Sequence, residues 1–149
     1  MEIKAEEEGG AIIEDAVQKA VEFHGHLGPF LVLGVRMGLL AKRELGSSGF
    51  EGMEAVAKTG NVPSLSCLLD GIQISTGCTM GNGKISAEPP GLPEAEFSAG
   101  EKKVTIRAKV EVVEEIRRWR ERYASLEEVA RSIQGRSDDE LFDSKAQKR

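Results

Sequence analysis

His24 and His26, separated only by Gly25, are the two imidazoles of this chain, and Cys67 and Cys78 are its two thiols. Imidazole nitrogen and thiolate sulfur together suit zinc or another borderline transition metal, held tetrahedrally at about 2.0–2.3 Å. Residues i and i+2 cannot share a helix face, but in an extended or turning backbone they point the same way, so both rings can converge on one ligand. The metal site expected from residue type is therefore His24, His26, Cys67 and Cys78, and the cofactor expected is a divalent transition metal, zinc above all. Asp70, three residues after Cys67 on a helix, is placed to orient one of these ligands from behind.

The spacing leaves other readings open. Cys78 lies in the Gly-rich run Gly77-Cys78-Thr79-Met80-Gly81-Asn82-Gly83-Lys84, whose exposed peptide N–H groups would stabilise a thiolate, with a neutral histidine as base. That makes Cys78 a candidate nucleophile. In the plainer reading Cys67 is a small buried hydrophobe, His26 a hydrogen-bonded ring, His24 a surface residue and Asp70 a solvated acid. The run ending in Lys84 is not a phosphate loop, because its glycine spacing is off by one, Ile85 replaces the Ser or Thr, and the helix precedes it.

The elements that must position these groups follow from periodicity. Ile12, Ile13, Val17, Ala20 and Val21 recur at helical spacing to about residue 22. Gly28 and Pro29 then form a helix start, and the helix runs to about Leu45, where Gly46-Ser47-Ser48-Gly49 ends it. Its positive N-terminal end beside the histidines would favour neutral rings. Gly34 and Gly38 share a face of it, which calls for close approach of another backbone and, with the apolar helix, is compatible with a homodimer.

Met53 to Thr59 reads as a strand, Ser64 as the cap of a helix carrying Leu65, Leu68, Leu69 and Ile72 to about Thr76, and Lys84 to Ala87 as a short strand. After the connector Glu88-Pro89-Pro90-Gly91-Leu92-Pro93, strands are predicted around Ala95 to Phe97 and from Val104 to Val110. From Val112 the pattern turns helical, with Val112, Ile116, Trp119 and Tyr123 on one stripe and Glu114–Arg118 as a pair on the other face. Capping boxes at Ser125 and Ser137 start two more helices.

A chain of 149 residues, 40% hydrophobic and 30% charged, supports one core. The expected division is a flexible acidic lead over 1–10, one domain over 11–143 and a polar tail over 144–149. A net charge of −5 argues against general affinity for nucleic acid or anionic membrane. The longest apolar run, Phe30 to Ala41, is interrupted by Arg36 and is too short to span a bilayer. With no apolar secretory core near Met1, a cytoplasmic location and free thiols rather than a disulfide are expected.

The stretches Phe23-His24-Gly25-His26-Leu27-Gly28-Pro29, Leu33-Gly34-Val35-Arg36-Met37-Gly38, and Cys67-Leu68-Leu69-Asp70-Gly71-Ile72-Gln73 leading to Thr76-Gly77-Cys78-Thr79-Met80-Gly81-Asn82-Gly83-Lys84 resemble the FmdE-like family of molybdenum formylmethanofuran dehydrogenase. The resemblance spans roughly residues 10 to 110. It implies an α+β fold with an antiparallel sheet packed by helices, and a metal site at the His-x-His turn and the cysteines. Many members carry a cysteine where this chain has Gly28, and some add a cysteine-rich zinc ribbon that nothing after Cys78 supplies here. The family name reflects association with a dehydrogenase that reduces carbon dioxide to a formyl group in methanogenesis.

The function expected is therefore a metal-binding accessory protein, with a larger dehydrogenase complex as partner. Two cysteines are too few for an iron–sulfur cluster, and no motif would hold a pterin. Two alternatives stand beside it: an independent small enzyme using a metal-activated water or Cys78, and a structural component without metal.

Overall fold

The described part of the computed structural model, residues 2–50 and 52–149, takes its elements in the order α1 (Glu2–His24), α2 (Pro29–Leu45), β1 (Met53–Ala57), α3 (Cys67–Thr76), β2 (Ile85–Ala87), β3 (Glu94–Ala99), β4 (Lys102–Ala108), α4 (Val110–Arg117), α5 (Leu126–Gln134), α6 (Asp138–Leu141) and β5 (Phe142–Lys148). The strands form one mixed sheet ordered β2-β1-β3-β4-β5, in which β1 and β2 run parallel and the other neighbours antiparallel. This is the α+β architecture expected.

α2 is the helix on which the others pack. Gly28 is extended at its N-cap, Pro29 follows, and Gly46 closes it in the left-handed region at φ +63°, its N–H bonding back to the last turn. Leu31, Val32, Leu33, Val35, Met37 and Ala41 are fully buried, so α2 is apolar on nearly every side. The charge on this helix that goes inside is Arg36, 5% exposed, and it is satisfied by the Gln134 carbonyl at 2.8 Å and Asp138 at 3.1 Å. Arg43 reaches the other Asp138 oxygen at 2.9 Å.

The glycines of α2 are used within the chain. A Cβ on Gly34 would stand 2.3 Å from the Leu68 carbonyl oxygen, and one on Gly71 of α3 would stand 2.3 Å from that of Leu31. Gly38 likewise faces Ser75 and Thr76. The close backbone approach predicted from Gly34 and Gly38 is thus the α2–α3 contact, and these glycines supply no dimer face.

Several boundaries differ from the sequence reading. α1 takes in residues 2–10, where the sequence predicts a flexible lead; Gly9 and Gly10 each cost a helix only about 1 kcal/mol. Residues 144–149, predicted as a polar tail, lie largely in β5, which pairs along all of β4 from Lys102↔Lys148 to Ala108↔Phe142. Backbone pairing carries that strand, and lysines suit an edge that must not recruit another chain. Ser64 sits at φ +71° and Ser66, not Ser64, precedes α3. β4 stops at Ala108 and α4 at Arg117, so Trp119 falls in a short 3-10 turn, Trp119–Glu121. Arg118 therefore pairs with Glu121 at 2.8 Å, and Arg117 with Glu114 at 3.7 Å. Both capping boxes form, Ser125 accepting from the Glu128 N–H and Ser137 from that of Glu140.

Candidate functional site

His24 is the last residue of α1, and Gly25, at φ +108°, turns the chain so that His26 and the start of α2 follow at once. The two imidazole rings stand with centroids 4.6 Å apart and planes inclined by 41°. The sequence puts both rings under the positive end of α2. His24 instead also meets the negative end of α1 and a carboxylate, a local field of the opposite sign.

That carboxylate is Asp70, in the first turn of α3, whose Oδ2 lies 2.6 Å from His24 Nδ1. Its other oxygen accepts from Gln73 Nε2 at 3.3 Å, and Gln73 Oε1 in turn accepts from the Met80 N–H at 3.0 Å. Asp70 on Nδ1 fixes the tautomer that leaves a lone pair on Nε2. His24 Nε2 is buried and has no hydrogen-bond partner. A buried ring nitrogen without a partner costs free energy unless something fills that role.

His24, His26 and Cys67 line one cavity of about 380 Å³, together with Pro29, Phe30, Leu65 and Trp119. Cys67 is half-buried at the start of α3, and burial, followed by the Asp70 carboxylate, pushes its thiol pKa up. A Cβ on Gly28 would meet only the His26 ring, at 3.7 Å, an ordinary van der Waals contact.

Cys78 stands apart. It follows the far end of α3, and ten residues of helix rising 1.5 Å each separate it from Cys67 by roughly 15 Å. Its side chain is fully buried, its thiol donates to the Met53 carbonyl at 3.3 Å, and burial pushes its pKa up. Residue type groups Cys78 with the other three, but the fold buries it away from the cavity that His24, His26 and Cys67 line. The Gly-rich run around it is organised by Asn82, which accepts from the Thr79 and Lys84 N–H groups and donates to the Gly77 carbonyl. Its donors are therefore partly used within the loop.

Among the described residues, no three His, Cys, Asp or Glu side chains stand close enough to hold a metal by themselves. The donors that line the cavity are two imidazoles and one thiol, with one ring nitrogen oriented from behind by a carboxylate. The cavity therefore carries nitrogen and sulfur donors, one of them held in orientation by a carboxylate. Sequence reasoning missed Gln73, although it lies three residues after Asp70 on one helix face. It also missed the far wall, Val62 to Leu65, Ile116, Arg117, Trp119 and Leu126, which only the tertiary fold brings to the histidines.

Residues 23–146 match a protein family described as FmdE, molybdenum formylmethanofuran dehydrogenase operon. Among solved structures, the chain is similar to a tungsten formylmethanofuran dehydrogenase FmdE-like protein from Syntrophus aciditrophicus, with a TM-score of 0.68 and 26% identity over 91% of this chain and 72% of that one. Among curated proteins, it is 43% identical over 72 residues to a probable S-adenosyl-L-methionine-binding protein of Archaeoglobus fulgidus. The match covers 45% of this chain and 19% of that relative's length.

Proposed function

The chain belongs to the FmdE family, and from that premise we propose that it is a metal-binding accessory protein of one-carbon metabolism, working beside a larger dehydrogenase of the formylmethanofuran type. The observation that carries the reading is His24: its Nδ1 is held by Asp70 at 2.6 Å while its buried Nε2 has no partner. A histidine backed by a carboxylate in this way is the usual arrangement of a metal ligand. His24 would anchor a divalent ion, zinc by donor type, and since among the described residues no three such side chains now stand within ligand reach of one point, His26 and Cys67 on the same cavity would have to close on the ion to complete the set. A bound ion would supply Lewis acidity to whatever enters there. The chain's own part is to fix the His24 ring, to keep the site half enclosed, and to line it with apolar side chains.

S-adenosyl-L-methionine, named for the Archaeoglobus relative, suits this cavity less well. Among the described residues, no Asp or Glu lines its wall to take ribose hydroxyls or to balance a sulfonium.

Elemental analysis of protein purified without chelator tests the proposal. About one zinc or similar ion per chain is expected, lost in His24→Ala and Cys67→Ala and kept in Cys78→Ala. Absence of stoichiometric metal, or metal kept in both His24→Ala and Cys67→Ala, would overturn it.

A further inference from the structure

We propose that the cavity beside the histidines binds a small organic anion: an apolar or aromatic body against the wall, its head group toward Arg117. The inference concerns the same site but does not depend on the metal.

Size comes first. A cavity of about 380 Å³ is an order of magnitude larger than an ion with one water needs, and falls in the range of pockets for small organic ligands. Its wall is the second observation: Phe30, Leu31, Leu65, Ile116, Trp119 and Leu126 give it an apolar surface. Arg120 lies over the Trp119 ring at 4.7 Å and holds it in place. Val62 and Leu126, 49% and 43% exposed, are large hydrophobics left open to solvent on this wall.

Charge selects among ligands. The chain has 25 Asp and Glu against 20 Lys and Arg, yet among the described residues no acid lines this cavity, whereas Arg117 does. Arg117's partner Glu114, 3.7 Å away, is not part of the wall. Ser64, on the same wall, is held at φ +71°, backbone strain of the kind that persists at ligand clamps.

The test uses the full-length protein stripped of metal with chelator and titrated with anilinonaphthalene sulfonate, an aromatic body bearing one anion. Saturable fluorescence at one site per chain is expected. Arg117→Glu and Leu126→Glu, both at exposed positions, should each weaken it about fivefold with unchanged thermal midpoints, the size of an exposed charge contact. The uncharged N-phenylnaphthylamine should bind more weakly than the sulfonate. Non-saturable binding, equal affinity in both variants and wild type, or equal affinity for the uncharged probe would each overturn the proposal. Metal content is read separately, so loss of one reading leaves the other standing.

Discussion

At His24 the two ring nitrogens have opposite surroundings, one bonded to Asp70 at 2.6 Å and the other buried without a partner. Asp70 is held in turn by Gln73, whose carbonyl takes the Met80 N–H, so the ring is braced through α3 as far as the Gly-rich loop. Orientation by such a carboxylate is typically worth about 10–100-fold in metal affinity. Asp70→Ala is therefore expected to weaken zinc binding by about that factor, read by competition with a chromophoric chelator, while leaving Cys67 and His26 in place. Gln73→Leu should lower affinity by a smaller factor, since Asp70 keeps its charge and loses only one anchor. Unchanged affinity in Asp70→Ala would show that the carboxylate does not position the ligand.

Between elements, the tightest constraint is the contact of α2 with α3, where three glycines replace side chains that would collide with backbone or with Ser75. A Cβ on Gly34 meets the Leu68 carbonyl at 2.3 Å, and a backbone atom cannot turn away as a flexible side chain can. Gly34→Ala should push the two helices apart and destabilise the fold by about 1–3 kcal/mol, despite alanine's better helix propensity. The thermal midpoint should fall by several degrees, at roughly 2–4 °C per kcal/mol for this chain length. A rise in midpoint would mean that propensity outweighs the clash. Because α3 carries Cys67 and Asp70 toward the α1–α2 turn, the same variant should also disturb the cavity.

The Gly34 and Gly38 spacing makes a close helix contact legible, but not which helix fills it. Bounds that local chemistry sets are equally legible: Pro29 and Gly46 for α2, and the serine caps of α5 and α6. β5 is not, because Asp143 to Lys148 has no apolar alternation and forms on the edge that β4 offers. His24, His26, Cys67 and Asp70 are legible as chemistry. Residue type alone groups Cys78 with them, and it is the length of the helix between the two cysteines that takes Cys78 out of reach.

Across the whole molecule, the segment from α4 to α6 buries Val112, Ile116, Val129, Ile133 and Leu141 in the common core, and ion pairs lace it to the other helices and to itself. Arg36 and Arg43 hold Asp138, Arg131 holds Glu14 of α1 at 3.0 Å, and Arg136 holds Glu115 at 2.9 Å through one nitrogen. Tyr123 also donates to Glu115, and Ser132 accepts from Arg136 at 2.9 Å, closing a network over α4, the following turn and α5. The Arg136 guanidinium, with Tyr123 adding to it, holds the Glu115 carboxyl down at about 2, against 4.5 for an ordinary glutamate. A carboxyl whose folded pKa is depressed contributes stability above its unfolded pKa and loses it as pH falls toward the folded one. The contribution of Glu115, on the order of 2 kcal/mol, should therefore be whole at neutral pH and decline between about pH 4.5 and pH 2. Over the same interval the other acids protonate, the net charge of −5 turns positive, and self-repulsion adds to the loss. Glu115→Gln isolates this group. It should lower the urea midpoint at pH 7, where the deficit includes leaving Arg136 without its carboxylate, and the gap to wild type should narrow steadily as the pH is lowered from 4.5 to 3. A gap that stays constant through that interval would mean that Glu115 acts through packing alone and that its ion pair does not tie α4 to the end of α5.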